Sequence, residues 1–171
     1  MAQFTHDESS WSRLDYAILR DGGVALYYAD SILAEDLAWL RSERYEIQEF
    51  DAGAWRVEGD FHDAVAKTLK FPAYYGRNLD AFNDCMGDVE VPDEGGMAIL
   101  IRNVDGVDLR EGQFLPVILD ILVGTTRTNL LFGRRLLTLL QSRNPAIEFP
   151  AVGAAPVMWN RREWLNSKRG L

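Results

Sequence analysis

The sequence is poor in the residues from which disulfides and histidine-based sites are built. It has one cysteine, Cys85, and two histidines, His6 and His62, in 171 residues. A single cysteine cannot form an intramolecular disulfide, so a reducing compartment is the expected environment. Zinc sites and catalytic triads that need histidine are scarcely available. The chain is still long enough to bury a core without metal or disulfide support, and we expect one domain over residues 1–171.

Long apolar runs and targeting signals are also lacking. The start of the chain is polar and acidic, without the basic segment and apolar run of a signal peptide. No stretch approaches the roughly eighteen consecutive apolar residues of a membrane span. We therefore expect a cytoplasmic protein with no membrane partner.

Positive charge is missing from the middle of the chain. The formal net charge is -8, and no Lys or Arg occurs between Arg77 and Arg102. Six acids fall in that interval: Asp80, Asp84, Asp88, Glu90, Asp93 and Glu94. Such a surface repels nucleic acid and attracts basic proteins, although a merely solvated face explains the same charges.

The spacing of these acids predicts a two-sided helix that begins near Asn78. Asp80, Asp84 and Asp88 recur every four residues and align on one side, while apolar residues at positions 79, 82 and 86 align on the other. Like charges stacked in this way destabilise an isolated helix. The row therefore indicates a surface suited to a positively charged partner.

The rest of the chain predicts alternating strands and helices. Residues 1–12 read as a loose polar start, and Asp30 or Ser31 and then Asp60 read as helix caps. Between 113 and 144 one long helix is possible, but Gly133 favours a helix followed by a strand. The predicted strands are 24–28, 45–50, 97–102, 136–141 and 157–159, and the further helices are 31–44, 60–70 and one capped by Asn160.

The segment 74–86, Tyr-Tyr-Gly-Arg-Asn-Leu-Asp-Ala-Phe-Asn-Asp-Cys-Met, resembles the signature of the barstar family, intracellular inhibitors of secreted ribonucleases. In that family an aromatic pair and Gly-x-Asn-Leu-Asp-Ala open a helix that carries Asp and Cys one turn later. The resemblance implies an α/β fold with a small parallel sheet of three core strands flanked by helices over residues 44–144. Residues 1–43 would add a strand and a helix, and residues 145–171 a C-terminal extension. Whether the added N-terminal unit extends the sheet or mediates dimerisation stays open.

The resemblance also implies stoichiometric binding without catalysis, cofactor or metal. In the family, the loop and the start of this helix plug the active site of a basic ribonuclease, where inhibitor carboxylates take the positions of RNA phosphates. It assigns partner binding to Tyr74, Tyr75, Gly76, Arg77, Asn78, Asp80, Asn83 and Asp84.

Individual roles follow from the motif. Asp80 and Asp84 would be the phosphate mimics, and Tyr74 the aromatic contact. Gly76 would allow close backbone approach or a positive φ, and Asn78 would cap the helix as well as touch the partner. Arg77 would either contact the partner or pair with a neighbouring carboxylate.

Two departures from the family point to a changed target. Asn83 stands where the best-known inhibitor has a tryptophan. No Asp or Glu occurs between Ile121 and Ile147, where the family places a supporting acid, and this stretch carries Arg127 instead. The partner is then a ribonuclease with a different face, or another toxin.

Three other interpretations compete with inhibition. The first is catalysis with Cys85 as a nucleophile activated by His62, but no local motif supports such a pair. The second is a metal site at Asp80, Asp84 and Asp88, but these lie on one helix face, which rarely supplies the six oxygens that a hard cation needs. The third interpretation is an interaction or regulatory module without a ribonuclease target. Its second contact surface would use the tryptophans and the basic C-terminal residues Arg161, Arg162, Lys168 and Arg169.

Overall fold

A five-stranded parallel sheet forms the centre of the protein, in a computed structural model that describes residues 4–107 and 113–169. The strands lie in the order β2-β3-β4-β1-β5, and every neighbouring pair is parallel. Their bounds are β1 Val24–Tyr27, β2 Tyr45–Asp51, β3 Gly96–Arg102, β4 Leu136–Gln141 and β5 Met158–Trp159.

Helices cover both faces of the sheet. Side chains of α4, α5 and α6 pack in one apolar cluster, and side chains of α2 and α3 pack in a second cluster on the opposite face. The central strands β3 and β4 are therefore mostly apolar and are buried along almost their whole length, as expected of parallel strands covered on both sides. The helices are α1 Glu8–Trp11, α2 Leu14–Arg20, α3 Asp30–Ser42, α4 Glu58–Thr68, α5 Leu79–Asp88 and α6 Phe114–Leu131.

The structure confirms the predicted fold class and shows how the N-terminal unit joins it. Strand β1 pairs with β4 in register Val24↔Thr138, so the added strand extends the sheet beyond the three core strands. Strand β5, from the C-terminal extension, pairs with the other edge of β1. The helix and strand predicted between 113 and 144 are α6 and β4, and one long helix is excluded.

The predicted loose start was wrong for residues 8–11, which form α1 with Asp7 as the N-cap. Helix α2 was not predicted. Its apolar pattern is interrupted by Asp15, which is fully buried despite its charge.

Two of the predicted caps were placed one to three positions off. Helix α3 already includes Asp30, and Ala29 is its N-cap residue. Asp60 lies inside the first turn of α4, where its carboxylate accepts from the backbone N–H groups of Arg56 and Val57. The carboxylate still satisfies N–H groups at the helix start, as a cap would.

Among the described residues, α6 is long and apolar enough to span a membrane by length and composition, with a mean hydropathy of 1.3 over 18 residues. This corrects the expectation that no stretch approaches that length. Asp120 and Arg127 interrupt the run and conceal it in the sequence. In the fold, α6 packs on the sheet through Ile118, Leu119 and Leu122, and 44% of it is buried, as in the core helix of a globular protein.

Candidate protein-binding surface

Helix α5 begins where the sequence predicts, because Asn78 caps it. The Asn78 backbone is extended and not helical, with φ -142° and ψ 170°. Its Oδ1 accepts from the backbone N–H of Ala81 at 2.8 Å, and its Nδ2 donates to the carbonyl of Gly76 at 3.3 Å. The cap therefore fixes both the first turn of α5 and the end of the preceding loop.

The carboxylates of α5 stand on its outer face. Asp80, Asp84 and Asp88 are exposed, one helical turn apart, while the opposite face is buried in the core. Among the described residues, neither Asp80 nor Asp84 has a hydrogen-bond or ion-pair partner. The two charges expected to meet a partner are thus uncompensated within this part of the chain.

The acidic patch is narrower than the sequence indicates. Arg134 donates to Asp93 at 2.9 Å and lowers the pKa of that carboxyl, and Arg44 pairs with Glu94. These cations lie some forty to fifty positions away in the sequence, so local charge counting could not find them. The unpaired acids of the interval are Asp80, Asp84, Asp88 and Glu90, within the described residues.

The aromatic pair divides between surface and core. Tyr74 is 82% exposed, the solvent-facing aromatic expected of a contact residue. Tyr75 is buried, its ring packs edge-on against Phe71, and its hydroxyl shares a hydrogen bond with Nδ1 of His62. Burial raises the pKa of Tyr75. Tyr75 was assigned to partner binding with the rest of the motif, but here it supports the loop from below.

The left-handed residue of this loop is Arg77 and not Gly76. The φ of Arg77 is 51°, whereas Gly76 is absent from the residues with positive φ. A Cβ on Gly76 would lie 3.3 Å from the Cβ of Ala81 and equally close to the Asn78 side chain. The positive φ expected at Gly76 is therefore at its neighbour, and close approach of the Gly76 backbone to a partner stays a prediction.

Arg77 pairs with a carboxylate, one of the two roles predicted for it. Its guanidinium contacts Asp63 on α4 and donates to the carbonyl of Gly59 at 3.3 Å. The pKa of Asp63 is lowered by this hydrogen bond. Sequence analysis did not single out Asp63, which precedes Arg77 by fourteen positions.

The middle of α5 carries a polar side chain outside and a thiol inside. Asn83 is exposed beside Asp84. Cys85 is buried, and burial together with the charges of Asp88 and Asp84 raises the pKa of its thiol. A raised pKa favours the unreactive thiol over the thiolate, and the Nδ1 of His62 faces Tyr75, which disfavours a Cys–His nucleophile pair.

Helix α6 uses its charged residues to hold the C-terminal extension. Asp120 accepts from the backbone N–H of Gly153 at 2.7 Å, and Arg127 donates to the carbonyl of the same residue. Both charged side chains of α6 thus hold the backbone of Gly153 in the C-terminal extension.

The basic C-terminal residues are engaged within the chain. Arg162 pairs with Glu35 and Asp36, and Arg161 lies 3.7 Å from Asp21. The Arg169 guanidinium stacks on the ring of Trp159 at 4.3 Å, and the Lys168 side chain lies outside the described part. These contacts disfavour a second, cationic contact surface at the described arginines.

Known proteins match the part of the chain that contains this surface. A family model described as Barstar (barnase inhibitor) matches residues 45–137. The curated protein named "Putative ribonuclease inhibitor YrdF", from Bacillus subtilis (strain 168), is 34% identical over 62 residues, which is 36% of this chain and 64% of that protein. The alignment thus spans less than two thirds of the relative's length. Because the family model covers more than half of the chain, from β2 through the capped acidic helix to the start of β4, the chain belongs to the barstar family.

Proposed function

We propose that this protein is a cytoplasmic inhibitor, of the immunity type, that blocks the active site of a basic secreted ribonuclease or a similar toxin by stoichiometric binding. Members of its family are inhibitors rather than enzymes. The observation that carries the proposal is the exposed pair of uncompensated carboxylates, Asp80 and Asp84, on a capped helix that follows the family's loop.

The chemistry of the surface fits a phosphate-binding site in the partner. A ribonuclease active site must attract the phosphodiester backbone and is therefore lined with cations. Two carboxylates held one helical turn apart on a rigid helix offer such cations charge-assisted hydrogen bonds. Tyr74 adds an exposed aromatic ring beside them in the chain, suited to stacking or apolar contact.

The proposal is tested by titrating a panel of basic secreted ribonucleases, with barnase from the family's description among them, with the purified full chain. We expect RNA cleavage to fall to zero at one equivalent, and Asp84→Asn to raise the dissociation constant at least about tenfold, because a charge-assisted hydrogen bond in a dry interface is lost. Added salt should slow association. The measurements are residual activity and association kinetics.

Glu148→Gln is the matched control. It removes the same charge from an exposed position outside the family-matched segment, and the dissociation constant should stay within about twofold. A tight, fully inhibited complex of the Asp84→Asn variant would contradict the proposed role of the carboxylate.

A regulatory or assembly module of the same fold is the second candidate, favoured by one observation. Asn83 presents a small amide where the family's tryptophan would give a large apolar contact. If no basic ribonuclease is inhibited while a different protein is captured through the Asp80 and Asp84 surface, this function replaces inhibition.

A further inference from the structure

The loop that precedes α5 is attached to α4 at two consecutive helix residues. On its inner side, the hydroxyl of Tyr75 shares a hydrogen bond with Nδ1 of His62, and both side chains are buried. On its outer side, the guanidinium of Arg77 contacts the next residue of the helix, Asp63. The inner attachment uses residues of the packed core, whereas the outer one is exposed to solvent.

The outer attachment acts on the least favourable backbone position of the loop. Arg77 has φ 51°, in the left-handed region that residues other than glycine seldom adopt because it is strained for them. Its guanidinium reaches back to both Asp63 and the carbonyl of Gly59, in the first turns of α4. These contacts form in the left-handed conformation and therefore favour it over the extended alternatives.

Arg77 occupies a position at which the backbone conformation affects the whole partner-binding surface. It directly precedes the N-cap Asn78, so its dihedral angles set how the segment with Tyr74 enters the helix with Asp80 and Asp84. Arg77 is also a cation within an acidic surface. Its pairing with Asp63 offsets a charge that would oppose a cationic partner.

We propose that Asp63 is a positioning residue for the partner-binding surface, which holds the loop of residues 74–78 in its binding conformation through Arg77. The proposal rests on the proposed function for its consequence, since a loop ordered in advance loses less conformational entropy on binding. Asp63 lies on a different element from the motif of residues 74–86 and acts on the partner through Arg77.

The test measures backbone order in the free protein and affinity for barnase in the same variants. In Asp63→Asn we expect the NMR order parameters of the Gly76 and Arg77 amides to fall from about 0.85 toward 0.6. The dissociation constant should rise about two- to fivefold, the range of an exposed ion pair. The double exchange Asp63→Arg with Arg77→Asp restores the pair and should recover most of both losses, since Asp tolerates the left-handed region.

Glu148→Gln, with the same change in net charge, should alter neither quantity. Unchanged order parameters in Asp63→Asn would overturn the positioning role, even if binding weakened, because Asp63 would then act on the partner directly. A fall in the order parameters, without binding of barnase or of any other ribonuclease of the panel by the parent chain or a variant, would support the positioning role and contradict the proposed function. The two failures are therefore distinguishable.

Discussion

The carboxylate of Asp15 is a buried acceptor shared by three side chains from different parts of the chain. Asp15 is completely buried, and its carboxylate accepts from Arg13 at 2.9 Å, from the Tyr45 hydroxyl at 2.8 Å and from Arg135 at 2.9 Å. Burial raises the pKa of Asp15, but these hydrogen bonds and charges outweigh burial and lower it. The partners are 2, 30 and 120 positions away, and two of the three therefore cannot be predicted from a local sequence pattern. An aspartate is usually expected in solvent, but Asp15 lies in the core and connects three side chains there.

Replacing Asp15 by alanine should destabilise the protein by about 3–5 kcal/mol, because the buried Arg135 guanidinium and the Tyr45 hydroxyl both lose this carboxylate as an acceptor. The free energy of unfolding is measured by urea titration with tryptophan fluorescence. Glu43→Ala is the control, since Glu43 pairs with the same Arg13 but is partly exposed, and its loss should cost less than about 1 kcal/mol. Equal losses in the two variants would show that the network contributes no more than a surface pair.

Helices and strands could be predicted from the sequence where neighbouring residues determine them, but the contacts between elements could not. Helix α5 could be predicted because its cap, its apolar stripe and its carboxylate row all lie within eleven residues. Strand β4 was predicted because Gly133 in the sequence indicates the end of the preceding helix. In the structure Gly133 follows α6 with φ 72°, the left-handed conformation typical of such a helix end. The loop before α5 was recognised from its motif. Its attachment to α4 through Asp63 was not, because ion pairs between elements leave no local pattern.

Two glycine substitutions should have opposite effects on stability. Gly124 lies in the interior of α6 with open space around its missing Cβ, so Gly124→Ala should stabilise the protein by up to about 1 kcal/mol through helix propensity. Gly95 has φ 75°, and a Cβ there would lie 2.2 Å from the carbonyl oxygen of Arg44. Gly95→Ala should therefore destabilise it by more than about 1 kcal/mol. Thermal unfolding of both variants checks the signs, and stabilisation by Gly95→Ala would contradict the geometry at the entry to β3.

At the scale of the molecule, the segments on either side of the family-matched region are joined to it and to each other. Strand β1 pairs directly with the core strand β4 and with β5 of the C-terminal extension. Buried Glu163, in the C-terminal extension, accepts from the backbone N–H groups of Tyr28 and Ala29 at the start of α3. The shared sheet and several charged contacts with sequence separations above one hundred residues thus connect all three segments.

This connectivity makes the predicted single domain over residues 1–171 testable as cooperative unfolding. The N-terminal unit carries Trp11 and Trp39, which report on it in a variant whose other three tryptophans are replaced by phenylalanine, while buried Cys85 reports on the core through its reaction with a thiol reagent. We expect urea transitions followed by fluorescence and by thiol exposure to coincide, because β1 cannot leave the sheet without uncovering the edge of β4. Glu163→Ala removes the acceptor of the two N–H groups of the β1–α3 turn, so the free energy of unfolding should fall by about 1–3 kcal/mol. The urea midpoints of both transitions should then decrease together. If fluorescence changed at a lower urea concentration than thiol exposure, the N-terminal unit would be a separate folding unit attached to an autonomous core.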